Sequence, residues 1–218
     1  MQTKSFALKS LAVAALFAAA GAANAGITVY TSLAAFSAAV GTTGTDTFAG
    51  LSITSVTASP ITRSAGSFTY TANPAPAGGF FGAGTALDPS LSTNDAEDVI
   101  TFSGFSAGVV AAGGNFFGSN LAGVFTAGDI SLTATDGSGT TTQTITGATT
   151  ASFLGFVSDG PLLSMTLVAV QPASSFLWPT ADNLVLASAA AAVPETQTYA
   201  MMLAGLGVLG FMARRRRG

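Results

Sequence analysis

Residues 128–148 read GDISLTATDGSGTTTQTITGA. Ile130, Leu132 and Ala134 alternate with Ser131, Thr133 and Thr135. A period of two places the first set on one face of a strand and the second on the other. Asp136-Gly137-Ser138-Gly139 supplies turn residues and predicts a hairpin into a threonine-rich return strand. Threonine is β-branched, so it suits a pleated surface better than a helix. The stretch reads as two antiparallel strands with one apolar face.

Working outward, the same grammar recurs. Downstream lie ASFLGFVSDGP, LLSMTLVAVQP and DNLVLAS, and upstream lie GVVAAGGNFFGSN and DVITFSGF. Phe68 to Tyr70 and Ile27 to Tyr30 read as further short strands. Strands at roughly 8–12 residue spacing predict an all-β sandwich or barrel. Phe102, Phe105, Phe116, Phe117, Phe125, Phe153, Phe156 and Trp178 are its expected core. One helix is predicted: Ser32 caps a turn over Leu33 to Val40, with Leu33, Phe36 and Val40 on one face and Gly41 ending it. Leu51 to Ala58 alternates weakly, and residues 73–98, rich in Pro and Gly, read as a loop.

Composition fits this reading. Of 218 residues only 8% are charged, Gly numbers 26, and neither Cys nor His occurs. Without them a disulfide, a thiolate nucleophile and a Ser-His-Asp triad are excluded, and zinc, copper and non-haem iron lose their usual ligands. The net charge of -3 hides a division. Between Gly26 and Val193 nine acids face one base, Arg63, which leaves that segment at -8. It offers phosphates no basic patch, so nucleic acid is not an expected partner.

The ends differ from the middle. Residues 1–25 carry Lys4 and Lys9, an apolar run from Leu11 to Ala20, and Ala23-Asn24-Ala25. Positive start, apolar centre and small-x-small site make a secretory signal helix, with Gly26 as the first residue after cleavage. Sec-type export machinery is the expected partner. At the other end, Val193-Pro194-Glu195 precedes an apolar run from Thr196 to Ala213 and then Arg214, Arg215, Arg216 and Arg217. As a helix the run extends about 27 Å, just enough to span a hydrocarbon core of about 30 Å. The arginines would hold its far end on the cytoplasmic side of the inner membrane.

These last residues resemble the PEP-CTERM sorting signal of Gram-negative bacteria. Val193, Pro194 and Glu195, the run containing Leu203, Gly205, Gly207 and Gly210, and the arginine cluster occur in the family's order. The family motif is Pro-Glu-Pro, and Thr196 departs from its last position. The resemblance implies an exosortase that recognises the motif and removes helix and arginines. It also implies an inner-membrane intermediate, a final place at the cell surface or outside it, and an association with exopolysaccharide and biofilm. The body also resembles those of other PEP-CTERM proteins, which implies a jelly-roll-like sandwich. The expected organisation is therefore a signal peptide at 1–25, a β-sandwich body at 26–187, a linker at 188–192 and the sorting signal at 193–218.

Chemistry in the body is sparse. Asp95, Glu97 and Asp98 place three carboxylates in four positions, which reads first as a solvated acidic loop; a bound Ca²⁺ is the alternative, since the composition suits it but the spacing is not that of an EF-hand. Asp182-Asn183 reads as a turn before the last strand, and Asp129, Asp136 and Asp159 as turn or edge residues. Trp178 either stacks on a sugar or is buried beside Pro179. The leading expectation is a non-enzymatic surface or matrix protein with no cofactor, structural or adhesive in exopolysaccharide. A carbohydrate-binding module, with or without calcium, is the alternative, and a carboxylate-based glycan hydrolase is the remote one.

Overall fold

A computed structural model describes residues 26–76, 78–191, 203–206 and 214–215. The signal helix, the motif and most of the apolar run lie outside these residues. Among the described residues no helix is long and apolar enough to cross a membrane.

The body is an all-β sandwich of two antiparallel sheets. The larger contains β1 (Ile27–Tyr30), β2 (Val40–Asp46), β5 (Phe80–Gly84), β6 (Pro89–Thr93), β8 (Val109–Ser119), β9 (Phe125–Thr126), β12 (Phe153–Ser158) and β14 (Trp178–Ala189). Its order is β1-β12-β8-β14-β6-β5, with β2 also on β14 and β9 also on β8. The smaller contains β3 (Ile61–Ala65), β4 (Phe68–Ala75), β7 (Val99–Ser103), β10 (Gly128–Asp136), β11 (Thr140–Ala148) and β13 (Leu162–Ala169). Its order is β11-β10-β13-β7-β4-β3.

The 128–148 hairpin forms as its pattern dictates. Ile130, Leu132 and Ala134 are buried, and Thr133 stands opposite Thr142 across β10 and β11. The turn is fixed by one carboxylate: Asp136 Oδ1 accepts from the backbone N–H of Ser138 at 2.7 Å and of Gly139 at 3.0 Å. The inward residues of the two sheets meet in one core, with Tyr70, Ile100, Phe102, Ile130 and Leu132 from the smaller sheet and Phe80, Leu91, Phe116, Phe156 and Leu186 from the larger.

A second, smaller cluster covers the other face of the larger sheet. Helix α1 (Leu33–Ala39) lays Phe36 onto Ala111, Val185 and Ala187. Ser32 caps it as expected, its Oγ accepting from the Ala35 N–H at 3.3 Å. Phe36 reaches the sheet because residue 155 is glycine; a Cβ there would meet the ring. The two sheets also approach at Gly44 of β2, where a Cβ would strike the backbone carbonyl of Ala65 in β3.

Several expectations are corrected. The helix ends one residue early: Val40 is extended and begins β2, and Leu33 is exposed. Residues 51–58 form no strand, only a bridge from Thr57 to Phe80. The supposed loop 73–98 holds the end of β4, all of β5 and all of β6. Neighbouring strands satisfy its backbone, which local Gly and Pro content does not reveal. Phe125 is exposed, and Phe105, Phe153 and Trp178 are half-buried rather than core. Ser188 and Ala189 belong to β14, so the sheet continues past Ala187 into the expected linker.

Candidate functional site

A cleft lies where β5, β6, β8 and β14 meet. It holds about 190 Å³ and is lined by Phe81, Ser92, Asn94, Asn120, Leu121 and Trp178, among others. Its floor is a hydroxyl network. Thr180 Oγ1 donates to Ser119 Oγ at 2.9 Å, and Ser92 Oγ donates to the Pro179 carbonyl at 3.1 Å. Its rim is aromatic. Trp178 Nε1 reaches the Asn94 carbonyl at 3.5 Å, and exposed Phe176 meets the indole edge-on, with centroids 6.4 Å apart. An aromatic rim over a neutral polar floor can stack and hydrogen-bond a small polar ring. The sequence placed Trp178 between stacking and burial, and the structure leaves it half-buried at the cleft.

The acidic residues are dispersed. Asp98 is buried while Asp95 and Glu97 are exposed. Asp95 Oδ1 accepts the Glu97 N–H at 3.1 Å, and Thr93 Oγ1 donates to the Asp95 carbonyl at 2.6 Å, which closes a turn. Among the described residues no group of three or more acidic side chains is placed to hold a metal ion.

Asp182-Asn183 lies inside β14 rather than before it. A bulge falls between Asp182 and Val185, and Asn183 takes φ 49°, a left-handed conformation that asparagine tolerates. Here the neighbour of β14 changes from β6 at Ala181 to β2 at Leu184. Burial raises the Asp182 pKa and the charge of Asp88 adds to the rise, against the Asn183 N–H, which lowers it.

Asp136 behaves oppositely. Hydrogen bonds from Ser138 and Ser158 outweigh desolvation and lower its pKa to about 2. Its Oδ2 accepts Ser158 Oγ at 2.6 Å, which ties the hairpin turn to β12 of the other sheet. Asp129 Oδ1 accepts the Gly147 N–H at 2.9 Å. These are turn and edge roles, as the sequence predicted.

One polar cluster was not visible in the sequence. Asp46 accepts Arg63 Nε and Nη2, both at 2.7 Å, the Tyr70 hydroxyl at 2.7 Å and the Phe48 N–H at 2.8 Å. Burial raises the Asp46 pKa, but these bonds and the Arg63 charge outweigh it and hold the carboxyl below its ordinary value. The Arg63 guanidinium also lies 5.3 Å from the Phe48 ring centroid. The cluster ties β2 of the larger sheet to β3 and β4 of the smaller. The only sequence signal for it was the isolation of Arg63.

At the ends, Gly26 donates its backbone N–H to Asp159 Oδ2 at 3.1 Å. Ala23 and Ala25 lie outside the described residues, as do Val193, Pro194, Glu195, Arg216 and Arg217. Arg214 and Arg215 are helical and exposed.

Residues 192–217 match the PEP-CTERM protein-sorting motif. The chain carries a PEP-CTERM signal. That signal indicates sorting through an exosortase, with export toward the cell surface or the extracellular space. The match spans the motif, the apolar run and the arginines together, so the departure at Thr196 does not remove it. Neither the curated proteins nor the solved structures yield a match to this chain.

Proposed function

We propose that this PEP-CTERM chain is a non-enzymatic surface protein whose jelly-roll-like body serves a structural or adhesive role in an exopolysaccharide matrix. The observation that carries the reading is the sorting motif at 192–217. In this reading the Sec machinery exports the chain, and cleavage after Ala25 leaves Gly26 as its first residue. The apolar run holds the chain transiently in the inner membrane with Arg214 to Arg217 inside. The exosortase then cuts at the motif and releases the body to the surface. An acidic body with one arginine suits a hydrated matrix, because like charge keeps neighbouring copies apart.

The test is the intact mass of the protein recovered from the surface or medium of an exosortase-bearing host. A chain running from Gly26 to near Glu195 supports the reading. A chain that keeps Gly218 and stays with the inner membrane overturns it.

The Trp178 cleft favours a second reading, a carbohydrate-binding module. A glycan array probed with the mature protein and with Trp178→Ala tests it, with and without chelator. Loss of a defined glycan signal in the variant supports cleft binding, and loss on chelation supports a calcium-dependent module. An array with no signal overturns the second reading and leaves the first intact.

A further inference from the structure

The outer face of the smaller sheet is a lattice of hydroxyl groups. One row crosses five strands: Thr142, Thr133, Thr166, Thr101 and Asn73 stand opposite one another in register. The next row crosses all six: Thr140, Thr135, Ser164, Ser103, Thr71 and Thr62. A third begins with Thr144, Ser131 and Val168. None of these residues is buried. Strand spacing near 4.8 Å and a two-residue step of about 6.7 Å set the lattice, which extends about 24 Å from β11 to β3.

Two features separate this face from an ordinary solvated sheet. Exposed sheet faces normally intersperse Lys and Glu, which keep sheets soluble and apart. The three rows contain no charged residue, and Asp129 stands at the margin, bound to the Gly147 N–H. The hydroxyls are also ordered against each other. Thr133 and Thr142 share a 2.8 Å hydrogen bond, and Thr144 Oγ1 donates to Ser131 Oγ at 3.5 Å. β-Branched side chains hold few rotamers, so the groups are fixed before any partner arrives.

We propose that this face docks a neutral, hydroxyl-rich polysaccharide. A hydroxyl both donates and accepts, so a grid of them pairs with sugar hydroxyls directly or through one water. Electrostatics choose between glycans. The body between Gly26 and Val193 carries nine acids and one base. An anionic polymer is therefore repelled, and no cation on the face offsets that repulsion. Each contact is weak, but a long repeating chain engages many rows at once and gains by avidity. The inference rests on the matrix reading above and names the matrix partner as an uncharged glycan bound away from the Trp178 cleft.

The experiment uses the mature protein purified from an exosortase-bearing host. The probes are suspensions of microcrystalline cellulose and insoluble mannan, with alginate gel as the anionic control. The variants are Thr101→Val/Thr133→Val/Thr166→Val, which removes three hydroxyls but keeps β-branching, and the same three positions changed to Lys. Thr28→Lys in β1 is the control, and Trp178→Ala reports binding at the cleft. Retention on at least one neutral probe is expected, with a tenfold or greater loss in both triple variants and none in the control; loss in Trp178→Ala with unchanged triple variants overturns the inference. The inference is overturned by absence of wild-type retention on both neutral probes, by equal retention on alginate, or by an unchanged triple-Val variant with a native melting curve. Shaping of ice crystals without glycan retention also overturns it, since ice is the other ordered hydroxyl lattice. Fractionation of the producing cells separates the two failures. Surface-located protein with insensitive retention sinks the face alone, whereas protein that never reaches the surface sinks the matrix reading.

Discussion

Arg63 and Asp46 form a two-pronged ion pair that joins the two sheets. Arg63 lies in β3 of the smaller sheet and Asp46 ends β2 of the larger, and Nε and Nη2 each reach a carboxylate oxygen at 2.7 Å. Asp46 is 5% exposed and Arg63 19%. Removing one partner strands the other, at a cost of several kcal/mol for a fully buried pair. Arg63 is only partly buried, so we expect Arg63→Met to cost about 2–3 kcal/mol, which lowers Tm by roughly 4–12 °C in a chain of this length. Calorimetry of Arg63→Met, Asp46→Asn and the double variant checks this. Additive losses would mean that the pair is not coupled.

The same pair sets a pH dependence. The Asp46 pKa is lowered in the fold, so its contribution is complete above the ordinary carboxylate range and is lost as pH falls through the lowered value. In Arg63→Met, burial still raises the carboxyl while the arginine's hydrogen bonds and charge are gone. The acid limb of the stability curve should therefore move to higher pH. An unmoved limb in melts between pH 6 and 2 would contradict the assignment.

Asp136 predicts a further acid transition. Its folded pKa is about 2, below the unfolded value. The stability it supplies is present above an ordinary pKa of about 4 and disappears as pH falls toward 2. Asp136→Asn should flatten the Tm-versus-pH curve in that window and leave it nearly parallel to wild type above pH 5. Thermal melts followed by circular dichroism give the comparison.

Gly44→Ala should be costly although it adds one methyl group. The new Cβ would run into the Ala65 carbonyl, which is backbone and cannot turn aside as a side chain does. Overpacking of this kind costs about 1–3 kcal/mol, and chemical denaturation should show it as a lower midpoint with an unchanged slope. Gly50→Ala makes a contrast: nothing lies within 4 Å of its Cβ, but φ is +85°, so any loss there comes from backbone strain alone.

The sequence was most legible where the pattern was local. Ile130, Leu132 and Ala134 announced β10, and Asp136 announced its turn, because alternation and turn chemistry are written over a few residues. The tail was legible for a similar reason: motif, apolar run and arginines are contiguous. What was hidden is relational. β2 reads VGTTGTD, poor in large apolar residues, and is a strand because β14 pairs with it. β5 (FFGAG) and β6 (PSLST) read as loop because they lie in a Gly- and Pro-rich stretch, yet each is held by a neighbour. Leu33 and Phe125 look like core by type but face solvent, since an all-β body of this size has more apolar side chains than inward positions. The threonine rows were half legible. Alternation gave each strand its polar face, but only the register aligned them across six strands.

The position of β14 sets when the larger sheet can close. This last strand does not close an edge; it lies between β8 and β6 and also carries β2, at the centre of the larger sheet. A chain that emerges N-terminus first from synthesis therefore cannot complete that sheet until nearly all of it is available. β14 ends at Ala189, and Val193 opens the motif four residues later, at most about 14 Å of extended chain away. Under the sorting proposed above, completion of the larger sheet and presentation of the motif coincide in space and nearly in time, so the folded body would serve as ruler and clock for its own release.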